Sequence, residues 1–381
     1  MRRHGILVTF LCVLALVIVG LVMLFSTSAF AHDSRGDMYY FVKRQIIWLC
    51  VGLAVCFFAA MFDYHWWQKT WLLWFVGATI LLILCFIPPI GMRINGSWRW
   101  INLGIMAFQP SELAKLASIF FLAWWYAKHP TVHSTFWKGF VIPLSIVGIL
   151  CLLIAAEVDL GTTALIGAVA LSVMFIAGCN PLLLGVLIAG GIAAIIGMAM
   201  AIPQRMARLM AFMEPEKFKL DVGLQQWQAL IAFGSGGLEG LGLGEGRQKM
   251  LYLPYAHTDF IFPMIGEELG LRFTLLVVLC FLLICLSGCI VAGNARDRFG
   301  MLLGFGAVMT ITLQAAVNIG VTTSLLPNKG MPLPFISYGG SNLVVCLFMI
   351  GILINIHRQG RPVEEKPRAT TGVRRRLAVR L

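Results

Sequence analysis

Ile6–Phe25 reads ILVTFLCVLALVIVGLVMLF, a stretch without a single charge. A helix of about 20 such residues spans the roughly 30 Å hydrocarbon core of a bilayer. Runs of the same kind recur near 5–29, 43–62, 71–89, 112–127, 139–157, 162–179, 182–202, 273–292, 300–323 and 341–356. In lipid the backbone must satisfy its own N–H and C=O groups, so runs of this length predict a helical bundle. The expected fold class is an all-α polytopic membrane protein of about ten transmembrane helices. Composition agrees: the 381 residues are 59% hydrophobic and only 12% charged, where a soluble domain carries roughly twice that charge.

The first run is bracketed by Met1-Arg2-Arg3-His4 and Ala29-Phe30-Ala31, an arrangement that imitates a signal peptide with its cleavage site. Signal-peptide apolar regions are about 7–15 residues long. This run is longer, and it is read as an uncleaved first helix. Ten crossings place both termini on one side. Arg2, Arg3, Lys69, Lys128, Lys138, Arg296 and Arg298 fall there, and the positive-inside bias makes that side cytoplasmic. Lys43, Arg44, Arg93 and Arg99 oppose this from short outer loops.

The net charge of +12 is unevenly placed, with eight Lys and Arg beyond His357 against Glu364 and Glu365. Residues 358–381 are read as a disordered basic tail in the cytoplasm, next to anionic lipid. Residues 1–357 are read as a single transmembrane domain. The basic charge lacks any aromatic or motif context for nucleic acid, which excludes that partner class. All ten cysteines lie in or at the ends of apolar runs and none forms a C-x-x-C, so neither a disulfide framework nor a zinc site is expected.

On this topology the chemistry lies outside the membrane, where ATP is absent. The outer side carries Pro88–Ser111, the long loop 203–262 between spans 7 and 8, and Leu326–Ser341. The long loop closes on Leu253-Pro254-Tyr255-Ala256-His257-Thr258-Asp259-Phe260-Ile261-Phe262. Asp259 there sits between a charged, Gly-rich stretch and an apolar one, where thinning water raises a carboxyl pKa. The run Phe260–Gly266 is too short to span and Glu267 and Glu268 interrupt it. With Pro263 as a break, it reads as a half-inserted segment covered by protein or a wet cavity.

Other polar residues have two readings each. Glu112 and Lys115, three apart on one helix face, mark a functional cavity or a structural ion pair, with Ser111 in the N-cap position. Asp159 acts directly or caps the next helix; Gln314 and Asn318 face the bundle interior for interhelical hydrogen bonds. Gly234–Gly246 lacks a preceding strand and a Gly-Lys-Ser/Thr, so it is no nucleotide loop and serves tight turns. His257-Thr258-Asp259 has no serine in a nucleophile elbow, and a lone general base fits better than a triad. Arg93, Arg99, Lys115, Arg247, Lys249 and Lys329 lack matching carboxylates in their own loops and suit an anionic substrate such as a diphosphate.

A set of motifs in fixed order then identifies a family. It comprises Asn95-Gly96 with Arg99-Trp100-Ile101, Gln109-Pro110-Ser111-Glu112 with Lys115, Asp159-Leu160-Gly161-Thr162 and Gln248-Lys249. It continues with His257-Thr258-Asp259-Phe260, Gly266-Glu267-Glu268-Leu269-Gly270 and Pro332–Ser341. Together these resemble the SEDS family (shape, elongation, division, sporulation) over roughly 5–357. Pro327-Asn328-Lys329-Gly330 and Ile265-Gly266-Glu267-Glu268 look more like the division members than the elongation members. Tyr255 and Val158 depart from the pattern, where Glu and Pro are common.

The resemblance implies a peptidoglycan glycosyltransferase that polymerises lipid II on the outer face of the bacterial cytoplasmic membrane. It implies Asp259 as the catalytic base, with Arg93, Arg99, Glu112, Lys115, Asp159, His257, Lys329 and Ser337 around the substrate. It implies a class B penicillin-binding protein, a transpeptidase, as partner, together with other division proteins. No cofactor is required by the sequence; a divalent cation, Mg²⁺ or Mn²⁺, could share the diphosphate charge, though no dedicated metal ligands stand out. The alternatives are a lipid II flippase, an elongation-type polymerase and a division scaffold. Against the first, polar content gathers outside rather than at mid-bilayer, and no inverted repeat is evident.

Overall fold

In the computed structural model, which describes residues 2–28, 37, 39–88, 90–94, 97–102, 104, 107–131, 135–201, 203–214, 216–250, 253–254 and 256–360, the chain is a helical bundle with a small outer sheet. Asn95, Gly96, Tyr255, the Ala29–Ala31 stretch and the tail from 361 onward lie outside the described residues. The helices are α1 (Arg2–Ser28), α2 (Tyr40–Met61), α3 (His65–Leu84), α4 (Pro110–Lys128), α5 (Ile142–Ala156), α6 (Leu160–Ile176) and α7 (Pro181–Ala201). The long loop supplies α8 (Pro203–Met213) and α9 (Leu224–Gly236), followed by α10 (Ile261–Gly293), α11 (Arg298–Thr322) and α12 (Gly340–Gln359). A π-helical turn, Trp137–Val141, leads into α5.

Seven helical segments are long and apolar enough to cross a membrane: α1, α2, α3, Trp137–Ala156, α10, α11 and α12. Leu160–Ile176 and Pro181–Ala194 are shorter apolar helices, and α4 is buried among them. This is a multi-pass membrane protein. Hydropathy located the helices well except α3, which starts at His65 rather than residue 71. Trp66 and Trp67 carry the helix into the aromatic stack of Trp67, Trp74, Phe120 and Phe348. The outer loop after α3 is not irregular. It folds as antiparallel β1 (Gly91–Ile94), β2 (Ser97–Asn102) and β3 (Ala107–Phe108), with Arg93 opposite Trp98 across a bulge.

The bundle closes on α11 and α12, whose side chains are the most buried of the candidate spans. With no hydrophobic gain to be had between helices in lipid, close packing decides association. At the α2–α12 contact a Cβ on Gly351 would fall 2.4 Å from the Cys56 carbonyl oxygen, so only hydrogen fits there. Two local expectations are corrected. Ser111 is no N-cap: Pro110, whose missing N–H costs nothing at a helix start, opens α4 after Gln109, and Ser111 sits in the first turn. Pro263 is no break either, because it too falls in a first turn, that of α10.

The interruption comes at Gly270, with φ 80° and ψ −179°, dividing α10 into 261–269 and 271–293. The first piece is the short buried segment expected from the sequence. Backbone groups freed by the break are answered: Leu271 N–H donates to the Gly237 carbonyl at 2.9 Å, and Leu241 N–H and Gly242 N–H to the carbonyls of Glu267 and Glu268. That backbone region is open essentially to glycine alone, and a Cβ at 270 would stand 2.4 Å from the Gly240 nitrogen. Gly270→Ala is therefore expected to cost about 2–3 kcal/mol or more, read as a clear fall in melting temperature in detergent; unchanged melting would contradict the break.

Candidate active site

Asp259 lies in the turn just before α10, half-buried, and its location follows from two backbone contacts. The Asn318 side-chain N–H group donates to the Asp259 carbonyl at 2.8 Å and to the Met331 carbonyl at 2.7 Å. One helix thus holds together the segment that ends the long loop and the segment after α11. Gly330 then lies against the acid, since a Cβ there would sit 2.7 Å from Asp259 Oδ2. Gly161, at the start of α6, faces Met331 and Lys329, with the Lys329 Cβ 3.6 Å from the place of an added Cβ.

Asp159 reaches the same place by capping. Its Oδ1 accepts from the Thr162 N–H at 3.1 Å and its Oδ2 from the Thr162 hydroxyl at 2.9 Å, the expected N-cap of α6. The turn before it is a Schellman closure, with Asp159 N–H donating to the Ile154 carbonyl and Val158 taking a left-handed φ of 66° where glycine is usual. Arg99, on β2, places its guanidinium 3.8 Å from Asp159 Oδ2 and is steadied by two bonds to the Ser97 hydroxyl, at 3.0 and 2.9 Å.

Burial pushes the Asp259 carboxyl up to about 6; Arg99 pulls it down and Asp159 adds to the rise. Neighbouring Glu157 is fully buried with neither oxygen hydrogen-bonded. Burial drives it up to about 8, Asp159 adds to this, and the Cys85 thiol and Arg99 oppose it. The sequence reading gave Glu157 no role; two acids closing an apolar run were the available signal.

Glu112 and Lys115 form a buried ion pair at 2.8 Å, each only 3% exposed. Asn342 donates to Glu112 Oε2 at 3.0 Å, and Lys115 donates to Gln314 Oε1 at 2.8 Å. Gln314 in turn donates to the Pro332 carbonyl at 2.8 Å, so the pair is coupled to the 329–332 segment through α11. The interhelical use expected of Gln314 and Asn318 is met. The Ser337 hydroxyl is engaged by the Leu333 N–H at 2.8 Å, and the Ser337 carbonyl accepts from Gln45 at 3.2 Å. His257 stacks on Phe41 at 4.4 Å between ring centroids, and its carbonyl accepts from Tyr338 N–H. Arg93 is exposed on β1. The structure thus gathers Asp259, Asp159 and Arg99, with Lys329 and Gly330 adjoining. Glu112, Lys115, His257 and Ser337 belong to the supporting frame.

Lys249 is not a spare cation. It is buried against Glu268 at 2.7 Å and also donates to Ser26 and the Gly244 carbonyl, while Ser26 bonds both Glu268 oxygens. Glu267 accepts from the backbone N–H groups of Arg247 and Gln248. The Gly-rich stretch is therefore moulded on two carboxylates of the short helix, a contact across 19 residues that loop-by-loop counting of charge could not find.

Comparison with known proteins follows from this geometry. A family model described as "Cell cycle protein", covering FtsW, RodA and SpoVE, matches residues 6–362. A "Probable peptidoglycan glycosyltransferase FtsW" of Geobacter metallireducens is 40% identical over 351 residues, 92% of this chain and 94% of that protein. "Stage V sporulation protein E" of Bacillus subtilis is 38% identical, over 91% of this chain and 95% of its own. Among solved structures, one chain of a peptidoglycan synthase complex described as coordinating polymerization and crosslinking superimposes with a TM-score of 0.76 at 24% identity, covering 92% of this chain and 96% of that one. Rod shape determining protein RodA of Thermus thermophilus gives 0.66 at 24% identity, over 93% and 97% of the two chains. At such identities the structures speak for the fold alone.

Removing one member of the buried Glu112–Lys115 pair strands the other, at a cost of about 3–5 kcal/mol. Lys115→Met should therefore lower the melting temperature sharply, and the double variant Glu112→Met/Lys115→Met should recover much of the loss. Equal melting of single and double variants would show that the pair does not bear on stability.

Proposed function

Because this chain belongs to the FtsW, RodA and SpoVE family of cell cycle proteins, we propose that it is a peptidoglycan glycosyltransferase that polymerises lipid II. Relatives named as peptidoglycan glycosyltransferases at about 40% identity over most of the chain support the activity. The residue-level reading rests on one observation, the half-buried Asp259 with its pKa lifted to about 6 beside Arg99 and Asp159. A carboxylate of that kind is ionised at neutral pH and more basic than an ordinary one, as a general base needs to be.

Lipid II is a disaccharide-peptide on a polyprenyl diphosphate, so the donor carbon already carries a leaving group. One displacement with inversion turns its α linkage into a β-1,4 bond. The acceptor's 4-hydroxyl oxygen attacks the donor carbon and its proton passes to Asp259. The bond to the diphosphate breaks, and the departing charge is taken by Lys329 and Arg99, with Arg93 at the rim; such stabilisation is commonly the largest catalytic term. A divalent cation, Mg²⁺ or Mn²⁺, would share that charge if bound. Among the described residues no three His, Cys, Asp or Glu gather as a cage, so no step is assigned to one.

In this reading α1–α7 and α10–α12 make ten crossings of the bacterial cytoplasmic membrane, both termini are cytoplasmic, and the sheet, the 203–262 loop and Asp259 face outward. Residues 1–357 form one domain and 358–381 the basic tail. The role is in division, and the partner is a class B penicillin-binding protein; the likeness to a chain from a polymerising and crosslinking complex supports a partner of that kind.

Asp259→Asn should insert normally and melt no lower than the native protein at pH 7.5. Above pH 6 the native carboxylate is charged against the cost of burial, and asparagine carries no such charge. It should make no glycan from purified lipid II, with or without the transpeptidase; near-normal polymer would remove the mechanism. In the native enzyme the rate should fall on the acid side around pH 6, as the base becomes protonated. Arg99→Gln removes a cation that holds Asp259 down and should move that limb to higher pH, so that activity lost at pH 6.5 is partly regained at pH 8. A limb that stays in place would separate Arg99 from the base.

A further inference from the structure

A cavity of about 620 Å³ opens beside the short helix, within the roughly 300–1,000 Å³ range of sites that enclose a small ligand. Three helices line it, each along one face. Leu230, Phe233, Gly234 and Gly237 follow the i, i+3, i+4, i+7 spacing of α9 and its end, and Leu271, Thr274, Leu275 and Val278 repeat it on α10. Ile319 and Thr323 of α11 close the third side. The walls are almost wholly apolar; the Thr274 hydroxyl is turned back onto the Leu271 carbonyl at 2.8 Å and that of Thr323 onto the Ile319 carbonyl at 2.8 Å. What keeps the space open is the lack of a side chain on α9, since a Cβ on Gly234 would meet no atom within 4 Å.

Its two ends differ. At one end the lining residues Leu238, Leu271, Leu275 and Val278 are themselves exposed, on helices that belong to the membrane region. At the other, Phe262 and Phe233 pack edge to face at 5.7 Å. Phe262 is one helical turn past Asp259, and Ile319 follows Asn318, whose amide holds the Asp259 carbonyl. A channel with apolar walls, open towards lipid and ending a turn from a carboxylate, fits an unbranched-width hydrocarbon tail whose polar head lies at that carboxylate.

We propose that this cavity holds the first isoprene units of the substrate's polyprenyl chain, and so reads the lipid as well as the sugar. The proposal rests on the polymerase reading above. Bulk phospholipid could offer similar chemistry; the end of the cavity beside Asp259 selects the chain that is covalently tied to the reacting diphosphate.

The test compares lipid II carrying its long polyprenyl chain with an analogue carrying a short, water-soluble chain, using the full-length protein with its transpeptidase. Gly234→Phe fills the cavity without touching backbone, and Leu275→Trp fills it from α10; Gly148→Phe, at an open position on α5, is the control. Both filling variants should raise KM for long-chain lipid II by about tenfold, the scale set by losing apolar contacts in a pocket. They should leave KM for the short analogue within about twofold. Gly148→Phe should change neither. Equal effects on both substrates, or none on either, would overturn the assignment. Failure of the native protein to polymerise either substrate would instead remove the polymerase reading itself.

Discussion

A single carboxamide, that of Asn318, determines where the chemistry can sit. An amide nitrogen has two N–H groups, and here both go to backbone carbonyls from chain segments far apart in sequence, Asp259 and Met331. In a lipid-facing bundle an unanswered carbonyl is expensive, so this residue both stabilises irregular backbone and sets the separation of the two segments. One turn earlier on the same helix, Gln314 repeats the device between Lys115 and the Pro332 carbonyl. The candidate base and the loop bearing Lys329 and Gly330 are therefore referred to one rigid ruler, α11. Asp259 gains its unusual acidity from where that ruler puts it.

Electrostatics around that point are arranged by opposition. Arg99 alone would draw the Asp259 pKa down and leave a weak base. Asp159, tied to α6 by its capping bonds to Thr162, offsets Arg99. The capping role and the site role of Asp159 are thus one fact: a residue fixed by a helix start can hold charge at a fixed place without a flexible stem.

The helices were largely legible in the sequence because lipid imposes one criterion, continuous apolarity, that a sliding reading detects directly. The capping Asp159 was legible too, since an acid three residues before a threonine at the start of an apolar run has a local meaning. The losses came where the cause was not local. Pro263 looked like a breaker but fell in a first turn, while Gly270, a residue tolerated in many helices, made the real interruption because backbone from 237–242 lies against it. The outer sheet was missed because strands of two to six residues show too little alternation to register. Lys249 counted as unmatched because Glu268, its partner, lies in another segment and both are buried on folding.

Helix α7 carries a consequence of its own. It touches the remainder chiefly through α6 and α8, and most of its described side chains face outward. None of the bonds that fix Asp259, Asp159, Arg99 or the 329–332 segment passes through it. The molecule is therefore built like a vice with one loose jaw: a bulky, long-tailed reactant can be admitted past α7 and the growing polymer let out, turnover after turnover, without resetting the alignment of the groups that do the chemistry.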